Sequence, residues 1–146
     1  MMEQPVRLLF VCVENACRSQ IAEAFARLLG GDGVEASSGG SHPSGVVNPR
    51  AIEVMAELGY DLTTHRSTGL EDLPTVTFDV LVTMGCGDAC PHVPAHRRED
   101  WAIPDPKGLP IAEFRALRDD LRQRVGALLT ERTAAATAAA ESPASV

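Results

Sequence analysis

The sequence predicts an α/β fold built on a parallel sheet with helices on both faces. Val6 to Val13 (VRLLFVCV) is a nearly continuous apolar run rich in β-branched residues, as expected of a strand buried on both faces. Phe78 to Met84 (FDVLVTM) is a second run of the same kind. Segments with apolar residues at helical spacing lie between and after them, and such alternation favours parallel strands joined by helical crossovers. At 146 residues, 45% apolar and 23% charged, the chain suits one compact domain. A domain this size buries roughly 68–70% of the surface its unfolded form exposes, so it has no need of disulfide staples.

Each element has its own signal. After the first strand comes a tight loop from Cys12 to Ser19, then Ile21, Ala24, Phe25, Leu28 and Leu29 at helical spacing until Gly30-Gly31. Gly33 to Ser38 alternates enough for a strand, and Gly39 to Pro43 has the composition of a loop. Asn48 is placed to cap a helix with Pro49 at its first position, Ile52, Met55, Ala56 and Leu58 inside, and Gly59 at its close. Trp101 to Ile103 is the candidate fourth strand, with Trp101 in the core, and Ile111 to Leu129 is a long amphipathic helix. Residues 5–132 form the expected domain; 133–146, almost all Ala, Thr, Ser and Pro, read as a frayed helix end and a disordered Ala-rich tail.

Composition narrows the function. A net charge of −7 and a pI near 5.0 leave no clustered Lys and Arg for a phosphate backbone, so no nucleic-acid partner is expected. No run approaches the ~18 apolar residues of a membrane span, and the first residues lack the pattern of an export signal. A cytoplasmic location follows as the expectation, with no membrane partner and a monomeric state. In that reducing compartment the four cysteines point to catalysis, redox chemistry or metal binding.

The loop Cys12, Val13, Glu14, Asn15, Ala16, Cys17, Arg18, Ser19 joins a buried strand to a helix start. Backbone N–H groups that open a helix converge on one spot and favour an anion there. Arg18 adds a planar fork of donors suited to a tetrahedral oxyanion. The same field favours a thiolate at Cys12, and Ser19 is within reach to donate to its sulfur. Glu14, an acid in an anion loop, is expected to point outward.

Phe10 to Glu23 (FVCVENACRSQIAE) resembles the active-site loop of the low-molecular-weight tyrosine phosphatase superfamily, and closely its arsenate-reductase branch. The resemblance covers about residues 5 to 130, through Ser37-Ser38-Gly39, Asn48-Pro49, His65-Arg66-Ser67, Thr83-Met84 and Asp105-Pro106. It implies a four-stranded parallel sheet in a phosphotyrosine protein phosphatase I-like sandwich. It also implies Cys12 as nucleophile, Arg18 as oxyanion clamp and Asp105 as the acid that assists the leaving group. Asn15, Ser37 and Glu23 match positions that organise the loop and a potassium ion in some relatives. Thr68 replaces the acid found there, which leaves Asn15 a loop-stabilising role.

Met84 to Pro91 (MGCGDACP) carries Cys86 and Cys90 at the end of the second apolar run, with glycines that allow it to bend. The segment resembles the redox segment of thioredoxin-coupled arsenate reductases. The implied chemistry is a relay in which Cys86 attacks Cys12 and releases arsenite, after which Cys90 attacks Cys86. No tightly bound cofactor is implied; electrons come from thioredoxin or a glutaredoxin- or mycoredoxin-like reductant, and the purpose is arsenic detoxification. The alternative is a low-molecular-weight protein tyrosine phosphatase. Gln20 in place of the usual Pro, Lys107-Gly108 in place of an aromatic pair and only 4% aromatic residues weigh against it. Cys86, Cys90, His92 and His96 have zinc-like spacing, but Pro91 and Pro94 interrupt the helix it would prefer, and no metal is expected. Cys17 reads as a packed loop residue, and His42 and His65 as loop hydrogen-bonders.

Overall fold

The computed structural model describes residues 5–84 and 93–141, with side chains through Glu131. Four strands, β1 (Val6–Cys12), β2 (Val34–Gly40), β3 (Phe78–Thr83) and β4 (Ala95–Asp100), form one sheet in the order β2-β1-β3-β4. All neighbouring strands are parallel. β1 lies inside, and its Leu8, Leu9, Phe10 and Val11 have no exposed surface, as their unbroken apolar run requires.

The helices are α1 (Arg18–Gly30), α2 (Pro49–Ala56) and α3 (Ile111–Glu141). Phe10 from the sheet, Ile21 and Phe25 from α1, Met55 from α2 and Phe114 and Leu121 from α3 share the main core. Each such side chain gains about 1.5–3 kcal/mol from burial. On the opposite face, Leu9, Val11, Phe78 and Leu81 pack under Leu70 and Leu73, which flank and form the single-turn helix Leu70–Asp72. Both faces therefore carry helix, though unequally. Among the described residues, no helix is long and apolar enough to cross a membrane.

Three boundaries and one helix face depart from the sequence reading. The fourth strand is Ala95–Asp100, not Trp101 to Ile103. It is an edge strand, paired only to β3, and its exposed residues alternate with half-buried ones that include Arg97 and Glu99, so no apolar run marks it. Trp101 and Ile103 are buried, as core residues of the loop beyond it. β2 continues through Gly39 and Gly40, where the loop composition conceals a strand end that lies against the cysteine loop. In α2, Asn48 caps by accepting from Arg50 N at 2.8 Å, with Pro49 next. Its buried face is Ala51, Val54 and Met55, with Ile52 half-buried and Ala56 and Leu58 exposed. Glu57, just past α2, accepts from Arg115 and Arg118 of α3, and these partners lower its carboxyl to about 2. Finally, helical backbone in α3 runs to Glu141, into the Ala-rich stretch.

Candidate active site

β1 ends at Cys12 and α1 begins at Arg18, so the loop between them opens at the carboxyl edge of the sheet, where parallel α/β folds place ligands. Its carbonyls are turned away. Those of Cys12, Val13, Glu14 and Ala16 accept from the N–H groups of Ser41, His42, Ser44 and Asn48 at 3.3, 2.8, 3.0 and 2.8 Å. No side chain caps α1 and no acid occupies its first turn, which leaves that helix end electropositive. The loop is thus anchored by its acceptors and offers donors to an anion.

Cys12, 2% exposed, forms the floor of a cavity of about 200 Å³. Cys17, Arg18 and Asp105 also line it. Ser19 Oγ lies 2.9 Å from Cys12 Sγ and accepts from Asn15 Nδ2 at 2.8 Å, so its own hydrogen is free for a thiolate. Arg18 Nη1 donates to the carbonyls of Met84 at 2.8 Å and Ile103 at 3.0 Å, while Nη2 stands 3.8 Å from Asp105 Oδ2. Two fixed carbonyls therefore orient the guanidinium across the cavity. Cys17 is buried, and desolvation with the nearby Asp105 raises its thiol far above the ordinary range, which makes it a packing residue rather than a second nucleophile.

The sequence reading missed the depth of the network behind the nucleophile. Asn15 is wholly buried with a positive φ of 50°, and its Oδ1 accepts from Thr68 N at 2.8 Å and Gln20 Nε2 at 3.0 Å. Gln20 Nε2 faces acceptors on Asn15 and Arg66, so Oε1 remains for His65 Nδ1 at 2.9 Å. His65 Nδ1 must then carry the hydrogen, and Nε2 accepts from the Tyr60 hydroxyl at 2.6 Å. Tyr60, His65, Gln20, Asn15 and Ser19 form a line of donors running in one direction to the Cys12 sulfur, an arrangement in which each bond polarises the next. Only the pairing of Gln20 with a loop forty-odd positions later could have signalled it, and no local pattern encodes that.

Glu14 does not point away. Its carboxylate sits on the cavity rim, paired with Lys107 Nζ at 3.0 Å. A second hollow, of about 480 Å³, includes Glu23, Ser37, His65 and Thr68, the region of the potassium expected in some relatives. Here both carboxylate oxygens of Glu23 are already engaged: Oε2 pairs with Arg27 Nη2 at 2.8 Å, and Oε1 accepts from Ser38 Oγ at 2.5 Å. The Arg27 guanidinium supplies the positive charge beside Glu23, so this carboxylate is not free for a bound cation. Among the described residues, no group of three or more His, Cys, Asp or Glu is placed to hold a metal. Cys86 and Cys90, with His92, lie outside the described residues.

Comparison with known proteins agrees with this geometry. The family model for low molecular weight phosphotyrosine protein phosphatase matches residues 7–139. An arsenate reductase of Staphylococcus haemolyticus is 38% identical over 125 residues, 83% of this chain and 94% of that protein. A solved arsenate reductase in its phosphate-binding state superposes with a TM-score of 0.79 at 35% identity, covering 86% of this chain and 98% of the other. A thioredoxin-dependent arsenate reductase of Corynebacterium glutamicum superposes with a TM-score of 0.75 at 29% identity, over 92% of this chain and 65% of that one.

Proposed function

The chain belongs to the low molecular weight phosphotyrosine protein phosphatase family, and from that premise we propose that it is an arsenate reductase, converting arsenate to arsenite for arsenic detoxification. One observation carries the reading: a buried cysteine sulfur, 2.9 Å from a serine hydroxyl, on the floor of a cavity shared with an arginine and an aspartate.

The Cys12 thiolate attacks arsenic and displaces an oxygen, which Asp105 protonates so that it leaves as water. Arg18 and the loop N–H groups hold the remaining oxygens. Arsenic is then bonded to Cys12 sulfur and still needs two electrons. The Cys86 thiolate attacks Cys12 sulfur, the sulfur–arsenic bond breaks with its electron pair going to arsenic, and arsenite departs. The Cys12–Cys86 disulfide that remains is attacked by Cys90, which frees Cys12 and leaves a Cys86–Cys90 disulfide for an external dithiol. No tightly bound cofactor takes part. Thioredoxin is the first choice of reductant, on the strength of the Corynebacterium glutamicum relative, with a glutaredoxin- or mycoredoxin-like protein as the other candidate. Phosphate ester hydrolysis is the second reading, because it needs only Cys12, Arg18 and Asp105 and is the chemistry for which the family is named.

The test is arsenate-dependent NADPH oxidation, reconstituted with each reducing system in turn. Cys86→Ser should stop multiple turnover yet spare slow aryl phosphate hydrolysis. Cys90→Ser should allow one round and trap a Cys12–Cys86 disulfide, seen by peptide mapping. A trapped Cys12–Cys90 pair in the Cys86 variant would exchange the two roles. Wild-type arsenate turnover in both variants would overturn the relay in favour of direct attack on Cys12 by an external thiol.

A further inference from the structure

Glu14 and Lys107 meet at the rim of the cavity from loops 93 residues apart: Lys107 Nζ donates to Glu14 Oε1 at 3.1 Å and to Oε2 at 3.0 Å. Lys107 is the only lysine in the chain. An acid in an anion loop opposes the ligand unless a cation neutralises it, and this ammonium does so.

Both ends of the pair are tied to the reacting groups. The Glu14 carbonyl accepts from Ser44 N at 3.0 Å and Ser67 Oγ at 2.9 Å, which fixes its backbone in the oxyanion loop. The Lys107 backbone N–H donates to Asp105 Oδ1 at 3.1 Å, so the ammonium and the acid of the leaving group share one turn. Depth separates the parts. Cys12 and Arg18 are 2% and 6% exposed, on the floor, whereas the Glu14 and Lys107 side chains are 31% and 64% exposed, on the rim. A free tetrahedral oxyanion needs only the floor. The organic group of an ester must project past Asp105 and through the rim that the ion pair spans. An apolar wall for such a group already exists in Ala16, Val46 and Pro49, so the lack of an aromatic side chain among the described residues that line this cavity does not by itself turn esters away.

We propose that the Glu14–Lys107 pair is a latch across the cavity mouth that sets substrate size, favouring a free oxyanion over an aryl ester. The inference rests on the oxyanion chemistry proposed for Cys12. The pair is solvent-exposed, and such pairs are individually weak, so the latch biases selection rather than imposing a barrier.

The test is protection of Cys12 against iodoacetamide in the intact protein, read by mass spectrometry of its peptide. Inorganic phosphate and phenylphosphonate serve as the two probes, and neither readout needs turnover. Glu14→Gln and Lys107→Met should each shift the ratio of half-protecting concentrations toward phenylphosphonate by about two- to fivefold, the range open to a weak ion pair. The charge-swapped double variant, Glu14→Lys with Lys107→Glu, should return the ratio to near the wild-type value, which a merely structural role would not predict. Equal changes for both probes in the single variants would overturn the latch and leave only a charge effect on anion binding; a swap that behaves like the single variants would overturn it too. A ratio shift in a protein that fails to reduce arsenate would remove the reductase reading and leave the latch standing. Absence of protection by either probe would overturn both.

Discussion

Arg18 can clamp an oxyanion because Met84 and Ile103 carbonyls hold one end of its guanidinium. A lysine there keeps the charge but cannot satisfy both carbonyls and still present a fork. Arg18→Lys should therefore lower kcat/KM for arsenate by about 10- to 100-fold, the worth of one or two charged hydrogen bonds. Asp105→Asn should lower kcat by about 100-fold or more with KM little changed, as loss of a general acid does; in steady-state kinetics, an unaltered kcat/KM in the Arg18 variant or an unaltered kcat in the Asp105 variant would show that role to be misassigned. Cys12, Arg18 and Ser19 were legible because neighbours in sequence act together, and Asp105 because its loop matches the family. Gln20 and His65 were not, since each alone is an ordinary polar residue and their meaning is a contact across 45 positions. His65 carries its own test. Burial lowers its pKa below the usual 6.5, with Arg27 acting the same way and Glu23 against it. The neutral form is the one the fold prefers, so its contribution to stability is fully present above pH 6.5 and lost as pH falls through 6.5 toward the lower folded value. The melting temperature of the wild type should fall more between pH 7.5 and 5.5 than that of His65→Gln, and parallel curves would dismiss the coupling.

At the scale of elements, apolar runs made β1 and β3 readable and alternation made most of β2 readable, whereas β4 was hidden by its charges and the end of β2 by its glycines. The second case has a physical reason. A Cβ built on Gly40 would lie 2.6 Å from the Val13 carbonyl and 2.9 Å from Asn15 N, both backbone atoms of the oxyanion loop. The strand end and the loop touch at a distance that only hydrogen allows, so composition suggests a loop where geometry demands a bare strand. Gly40→Ala should destabilise the fold by about 1–3 kcal/mol, as overpacking does, and weaken phosphate protection of Cys12 because the displaced atoms are those of the cradle. Gly126, in the middle of α3, is the control. Its added Cβ would meet only Leu29 Cδ1, at 3.8 Å, and Gly126→Ala should be neutral or stabilising by up to about 1 kcal/mol. Denaturant unfolding of the two variants side by side would expose the idea as wrong if they behaved alike.

For the molecule as a whole, the open question at the carboxyl end is where the functional unit stops. Phe114, Leu117, Leu121, Val125 and Leu128 are buried along α3, and Glu131 still pairs with Arg97 of β4 at 2.5 Å. The helical backbone goes on to Glu141, yet a run of alanines prolongs a helix by propensity alone, without needing a core to pack on. Helix and domain boundary are therefore separate matters: the leucine and valine positions of α3 end at Leu129, whereas its helical backbone does not. We take residues 5–132 as the unit that folds and acts. A chain ending at Arg132 should keep wild-type arsenate turnover and melt within about 2 °C of the full chain, a change of less than about 1 kcal/mol. A chain ending at Arg124 loses Val125 and Leu128 from the core and the Glu131 partner of β4. Removing two buried aliphatic side chains costs about 4 kcal/mol or more, a large share of the 5–15 kcal/mol that holds a domain together, so this shorter chain should be largely unfolded by circular dichroism. If instead the Arg132 chain melted many degrees lower, residues 133–146 would be packing against the domain, and the Ala-rich stretch would have to be counted as part of it.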